Sequence, residues 1–310
     1  MFKNLLLFII LTSCVLQLSA QEQATYRHYI LYPVLINPGA TGFNEGHEFL
    51  GNVVNSWSGS PGTPIGYTFG YNGAFGKNVG LGIQIMNERN AAINKFKAAL
   101  GYAYKLRFEK IVASIGLTTE FQQRNLISGI IGDPLISGDD ELLLAANDGI
   151  RYFDLGLGLY SKINQTLTLG VSLPNLVHTY LNKPVGASND IKYKGNFTFY
   201  LANMFDISNY DFKLEPGIAL RKVGDEAPLL GDVNLTGYFL DNKLIGGLGY
   251  HFGADQNGYG VLLGININKV KLLYSFDIFK GDYQPYNNGK HEFTLGVTLG
   301  SKSSEMDANN

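Results

Sequence analysis

Three observations predict an all-β protein, a transmembrane antiparallel β-barrel of about fourteen strands with an irregular N-terminal segment. Apolar and polar side chains alternate along most of the chain. The connections between alternating stretches are short and long by turns. No stretch beyond the first twenty residues approaches the roughly 18–20 continuous apolar residues of a membrane helix. The composition agrees, with 38 Gly, 19 Tyr and 19 Phe against only 16% charged residues.

Residues 1–20 read as a secretory signal peptide. Lys3 supplies the positive start, residues 5–11 the apolar core and Leu18-Ser19-Ala20 the small-residue exit, so that Gln21 opens the mature chain. Leu11-Thr12-Ser13-Cys14 competes as a lipobox that would place a lipid on Cys14; the apolar sequence running on past Cys14 to Ala20 favours cleavage there. Cys14 is the sole cysteine, so cleavage after Ala20 removes disulfides and thiol chemistry from the mature protein. Without Lys3 the mature 290 residues carry 23 basic and 26 acidic side chains, a net charge of −3, which gives no reason to expect nucleic acid.

Residues 21–47, with Pro33, Pro38 and several glycines, form an irregular segment that is periplasmic or tucked into the barrel. Residues 48–300 are the barrel. Its strand-like segments are 48–57, 65–75, 79–87, 95–105, 110–121, 151–160, 166–173, 192–206, 210–221, 231–240, 243–253, 258–267, 269–279 and 290–299. Most span about 9–11 residues, the length of a tilted strand crossing a bilayer. One face is apolar and free of charge, as in Val79, Leu81, Ile83 and Ile85, or Phe293, Leu295, Val297 and Leu299. The other carries Lys95, Lys105, Asp154, His251, Asp277 and Glu292 among glycines such as Gly80, Gly82, Gly156 and Gly158. A soluble sandwich has little need of small residues on a face turned to bulk water. Glycine interleaved with charge suits a crowded, wet barrel interior.

Connections after segments 2, 4, 6, 8, 10 and 12 are tight, and those after 1, 3, 5, 7, 9 and 13 are longer; only 254–257, after segment 11, is short where a long loop belongs. Outer-membrane barrels show this pattern, with short turns on the periplasmic side. Pro216, inside the ninth segment, predicts a bulge or a bent strand. Residues 142–147 allow one short helical turn, and the polar tail 301–310 reads as disordered.

Nothing in the sequence reads as catalytic. Asp139-Asp140-Glu141 lacks the spaced oxygen ligands of a calcium loop. His28, His47, His178, His251 and His291 are scattered without metal-ligand spacing. Gly80-Leu81-Gly82 and Gly156-Leu157-Gly158 lie mid-strand with no helix after them, so they are not dinucleotide loops. No Gly-x-Ser-x-Gly elbow is present. No cofactor or metal is expected.

Tyr26-Arg27-His28-Tyr29-Ile30-Leu31-Tyr32-Pro33, followed by Ile36-Asn37-Pro38-Gly39-Ala40-Thr41-Gly42, resembles the opening signature of the PorP/SprF family of type IX secretion membrane proteins. The order of further motifs supports the resemblance: Trp57 with Pro64, Asn78-Val79-Gly80-Leu81-Gly82, Tyr102-Ala103-Tyr104, Gly132-Asp133-Pro134, Phe153-Asp154-Leu155-Gly156, Leu173-Pro174-Asn175-Leu176 and His291-Glu292-Phe293. Gly39 stands where the family usually has Ala, Tyr32 where Asn is common, and 86–92 lacks the usual Asp and Gly.

The resemblance implies an integral outer-membrane protein of Bacteroidetes type, serving type IX secretion and gliding. It implies partners too: a secreted, adhesin-like surface protein or other secretion components, besides outer-membrane lipid. Tyr26, Tyr29, Tyr32, Asn37, Pro38, Gly42, Trp57, Pro64, Asp133 and Pro134 are the candidate partner-contact or family-motif residues. The three tyrosines either anchor a partner or pack into the barrel mouth. Loop 122–150, apolar at Leu126-Ile127, Ile130-Ile131 and Leu142-Leu143-Leu144, either folds into the lumen as a plug or forms a sticky partner site. A passive channel for small solutes is the alternative function.

Overall fold

The structure is a computed structural model that describes residues 26–58, 62–126, 149–182, 195–207, 211–224, 227–253, 257–280 and 288–300. The signal peptide, the tail, Asp133, Pro134, the 142–147 turn and most of the apolar loop lie outside the described residues.

Fourteen strands follow one another around a closed barrel. They are β1 (His47–Asn55), β2 (Ile65–Phe75), β3 (Val79–Asn90), β4 (Ile93–Arg107), β5 (Ile111–Leu126), β6 (Ile150–Ile163) and β7 (Leu167–Tyr180), then β8, which runs as Phe197–Asn203 and resumes as Phe205–Ile207. The second half comprises β9 (Phe212–Lys222), β10 (Leu230–Phe239), β11 (Leu244–Phe252), β12 (Asn257–Ile267), β13 (Val270–Lys280) and β14 (Lys290–Leu299). Every neighbour in sequence is an antiparallel neighbour in space, and β1 closes on β14 from His47 opposite Leu299 to Asn55 opposite His291. Closure leaves no edge whose backbone polar groups would face lipid unpaired.

The fourteen strands match the fourteen alternating segments. Phe69, Leu81, Ile83, Leu248 and Leu263 are exposed on the outer wall, whereas Lys105, Asp154, Asp277 and Glu292 are buried in the lumen. The inversion is what a bilayer requires, because lipid solvates the apolar face and the lumen encloses the polar one. With the apolar belt outside, this chain is an integral membrane protein.

Several boundaries differ from the sequence expectation. β5 extends to Leu126 and β7 to Tyr180, into stretches read as loop. The β3–β4 connection is a tight turn at Ala91 and Ala92, with Ala91 at φ 47°, where a longer loop was expected. β7 passes Pro174 by a bulge: Leu173 pairs with Leu157 and Val177 with Leu155, so Pro174, Asn175 and Leu176 face the single residue Gly156. The extra residues carry the proline, which has no N–H for the ladder, and Asn175 at φ 54°. Pro216 produces no bulge. Its strand keeps register with β10 throughout, and pairing with β8 lapses opposite Asn203 and Met204, where the missing donor costs no ladder bond.

Candidate functional site in the barrel lumen

Residues 26–46 thread through the lumen. Three short 3-10 turns, His28–Ile30, Pro33–Leu35 and Pro38–Ala40, carry the chain from the long-loop end to the short-turn end, where β1 begins. The direction follows from the contacts. The Arg27 side chain meets Asp277 and His251 near the long-loop ends of β13 and β11. At the other extreme, Lys105 Nζ, near the short-turn end of β4, donates to the carbonyls of Gly42 (2.6 Å) and Phe43 (3.1 Å).

The upper half of the segment sits in a nest of buried charge. Arg27 Nη1 lies 2.8 Å from Asp277 Oδ1 and 3.0 Å from His251 Nε2, and Nη2 donates to the Gly260 carbonyl (3.2 Å). The His251 ring bridges Asp232 and Asp277 through its two nitrogens, and Arg221 pairs with Asp232 at 2.9 Å. Glu292 accepts from the backbone N–H groups of Arg27 (2.6 Å) and His28 (3.3 Å) and from Asn52 Nδ2 (2.8 Å). Lys290 stands 3.7 Å from Asp277 and 4.0 Å from Glu292. Three permanent cations thus face three carboxylates in a largely buried space, which offsets the desolvation that any one of them alone would suffer. The slot for the guanidinium exists because Gly249 and Gly260 have no Cβ; a methyl at either would overlap Arg27.

The predicted tyrosines are all lumenal and nearly fully buried: Tyr26, Tyr29 and Tyr32 expose 6%, 2% and 1%. Tyr26 Oη pairs with Thr68 Oγ1 at 2.9 Å, and Tyr29 Oη accepts from Asn234 Nδ2 at 2.8 Å. Burial pushes all three phenols well above their ordinary range, so they stay protonated. Burial also lowers the pKa of His28, against the opposing pull of Glu292. The Tyr32 ring carries the Lys271 ammonium 5.2 Å from its centroid.

The lower half is the Asn37–Gly42 turn. Asn37 Oδ1 accepts from Gly39 N–H (2.8 Å), capping the turn, while Nδ2 donates to the Leu159 (2.9 Å) and Val171 (3.3 Å) carbonyls of β6 and β7. Gly42 N–H donates to Asn72 Oδ1 at 2.6 Å. The turn lies flat on the wall because Gly80, Gly116 and Gly158 offer bare backbone, and a Cβ there would overlap Thr41, Pro38 and Asn37 respectively. The inward glycines of β3, β5 and β6 are therefore a bed for this turn.

Trp57 and Pro64 lie elsewhere, at the long-loop rim. Ser56 N–H donates to the Pro64 carbonyl (2.8 Å), Ser58 exchanges backbone bonds with Asn288 and Gly289, and Trp57, at φ 58°, is half exposed. The structure thus groups Tyr26 to Gly42 in the lumen and separates Trp57 and Pro64 from them. Sequence reasoning missed Arg27 and His28. The available signal was the acid-rich inward face: Asp277 and Glu292 on it require a buried cation, and Arg27 lies within the tyrosine motif.

Beside the segment lies a cavity of about 150 Å³, bounded by Leu35, Ile36 and Pro38 on one side and by Lys97, Glu120 and Gln122 on the other. Lys97 and Glu120 stand 3.8 Å apart. Further up the same wall, Asp154 takes a bond from Gln122 Nε2 (2.7 Å) and pairs with His178, whose ring packs 4.8 Å from Tyr152.

A closed barrel with an apolar outer belt and a polar lumen defines an integral outer-membrane β-barrel protein. Solved structures of this class share the fold. The monoaromatic hydrocarbon channel CymD is 10% identical over 86% of this chain and 92% of that one, with a TM-score of 0.51. The Pseudomonas putida toluene transporter TodX is 10% identical over 89% and 93%, with a TM-score of 0.50. The family described as type IX secretion system membrane protein PorP/SprF matches residues 18–297, and the chain belongs to it. No curated protein matches the chain. The protein is accordingly an outer-membrane component of type IX secretion, of a family that is not enzymatic.

Proposed function

We propose that this protein is a non-enzymatic part of the type IX secretion and gliding machinery that binds a secreted partner protein and helps export it or hold it at the cell surface. Family membership supports the reading. The observation that carries it is the lumen, which is crossed by the chain's own segment and braced to opposite walls by Arg27, Asn37 and Lys105. A lumen so occupied favours a rigid docking body over an open conduit. The second reading, a passive solute channel, has the fold shared with the hydrocarbon channels in its favour.

Tagging the protein in its native host, solubilising the outer membrane gently and identifying what co-purifies tests both. A near-stoichiometric secreted adhesin or secretion component supports partner binding. A barrel that comes down alone and conducts ions in a planar bilayer overturns it and leaves the channel.

A further inference from the structure

We propose that the lumenal segment is a register key, which fixes the alignment at which the last strand, β14, closes on the first, β1. The inference goes beyond the proposed function and does not depend on what the protein binds. The seam needs such a device. Every other pair of neighbouring strands is joined by a connection, whereas β1 and β14 are the two ends of the sheet and meet only in space. Alternation excludes some alignments. A one-residue slip would turn the apolar face of β14 into the lumen, but a two-residue slip keeps it outside. The outer face does not separate the two-residue alternatives, because Phe293, Leu295, Val297 and Leu299 are all apolar. The choice among them sets the stagger of the barrel, and with it the strand tilt and the diameter.

The lumenal face does separate them. Leu50 and Val54 of β1 share one apolar cluster with Tyr26, Tyr32 and Leu35 of the segment, and the Tyr26 hydroxyl also reaches Thr68 of β2 and Met86 of β3. The segment is thus seated on the first strands and presents a template to the last. It reads β14 at three levels. Glu292 accepts from the N–H groups of Arg27 and His28, Thr294 Oγ1 lies 2.6 Å from His28 Nδ1, and Gly296 lies against Tyr32, whose hydroxyl a Cβ there would overlap. Asn52 of β1 joins the same layer, donating to Glu292 (2.8 Å) and Thr294 (2.7 Å). A two-residue slip in either direction brings Thr294 or Thr298 to the place of Gly296, opposite Leu50. Tyr32 leaves room for neither. The slip also carries Glu292 away from the two N–H groups, and a buried carboxylate stripped of its donors is strongly unfavourable. Gly296 is the one glycine on the inward face of β14, so a single alignment fits the key.

The test is cysteine crosslinking across the seam in the full-length protein, whose sole cysteine, Cys14, lies in the expected signal peptide. Val53 faces Phe293, and a two-residue slip places it opposite His291 or Leu295 instead. Residues that far off register sit about 7–8 Å apart, beyond the reach of a disulfide. Oxidising membranes with copper phenanthroline should therefore bridge V53C/F293C in the otherwise native chain and leave V53C/H291C and V53C/L295C open. Adding Tyr32→Ala and Glu292→Gln removes the key, and the yield of one slipped pair should then rise at least about tenfold, as register becomes weakly specified. Slipped yields that stay at the native level overturn the proposal and leave the strand ladder itself as the source of register. If the chain without its key does not reach the outer membrane, Gly296→Ala decides. Alone it should lower the recovery of folded barrel several-fold, and Gly296→Ala/Tyr32→Ala should restore it, because the ring that excluded the methyl is gone. Recovery untouched by Gly296→Ala, or not restored by Tyr32→Ala, overturns the proposal.

Discussion

Arg27 shows why a residue outside every strand governs the barrel's interior. Its guanidinium is the cation nearest Asp277 and spans the gap between the lumenal segment and β11 to β13. Arg27→Ala leaves Asp277 with Lys290 at 3.7 Å as its nearest permanent cation. Unfolding in detergent should then show a loss of about 3–5 kcal/mol, the cost of breaking a buried pair. The double variant Arg27→Ala/Asp277→Ala should lose less than the sum of the two single losses, because the residues act together. Additive losses would show that the nest does not depend on the pair. His28 makes a pH-dependent contribution. Burial depresses its pKa below the ordinary value of 6.5, so the unfolded chain takes up a proton first as the medium is acidified. Stability from His28 is complete above about pH 6.5 and declines as pH falls through the window below it. Melting curves from pH 8 to 5 should be flatter in His28→Asn than in the wild type; equal slopes would exclude the effect.

At the scale of elements, the inward glycines are a docking surface made of backbone. Gly116→Ala drives a methyl into the Pro38 carbonyl, and overpacking of that kind costs about 1–3 kcal/mol. Gly51 on β1 is the control, since a Cβ there meets nothing within 4 Å. Gly51→Ala should melt with the wild type and Gly116→Ala several degrees lower; equal melting of the two would show that the turn does not rest on that wall. The glycine–charge mixture was legible as a barrel interior, because the period of two is a local property. Its purpose was not. Glycines that only line a wet lumen and glycines that seat a turn look alike in sequence, and Pro38 lies 78 positions from the Gly116 it rests on. The Pro174 and Pro216 strands make the same point. Pro216 read as an irregularity and Pro174 as the start of a loop, yet Pro174 became a bulge within its strand and Pro216 a lapse in pairing, according to which neighbouring strand could spare a donor.

For the whole molecule, the lumenal segment acts as the core that a hollow barrel otherwise lacks. It reaches Thr68, Leu159, Asn234, Asp277 and Glu292, on strands spaced around the circumference. Deleting residues 26–42 should lower the temperature at which the barrel loses its heat-modifiable mobility on semi-native gels, and should open conductance in planar bilayers that the full chain does not show. A deletion variant as tight and as stable as the full chain would mean that the segment neither fills nor braces the lumen.

The sequence by itself determined the fourteen strands, the closed antiparallel order, the outward apolar face and the family signature. Each is written in period-two alternation, connection length or short motifs, which need no knowledge of distant residues. Only the tertiary structure decided that the tyrosine and Asn-Pro motifs lie inside the barrel, that Arg27 completes an ion nest, and that Trp57 stands apart from them at the rim. Those outcomes depend on which walls a closed sheet brings face to face. Arg27 meets Asp277 across 250 positions, and Asn37 meets Val171 across 134. No local pattern encodes such a meeting, because it is set by the circumference and register of the finished barrel.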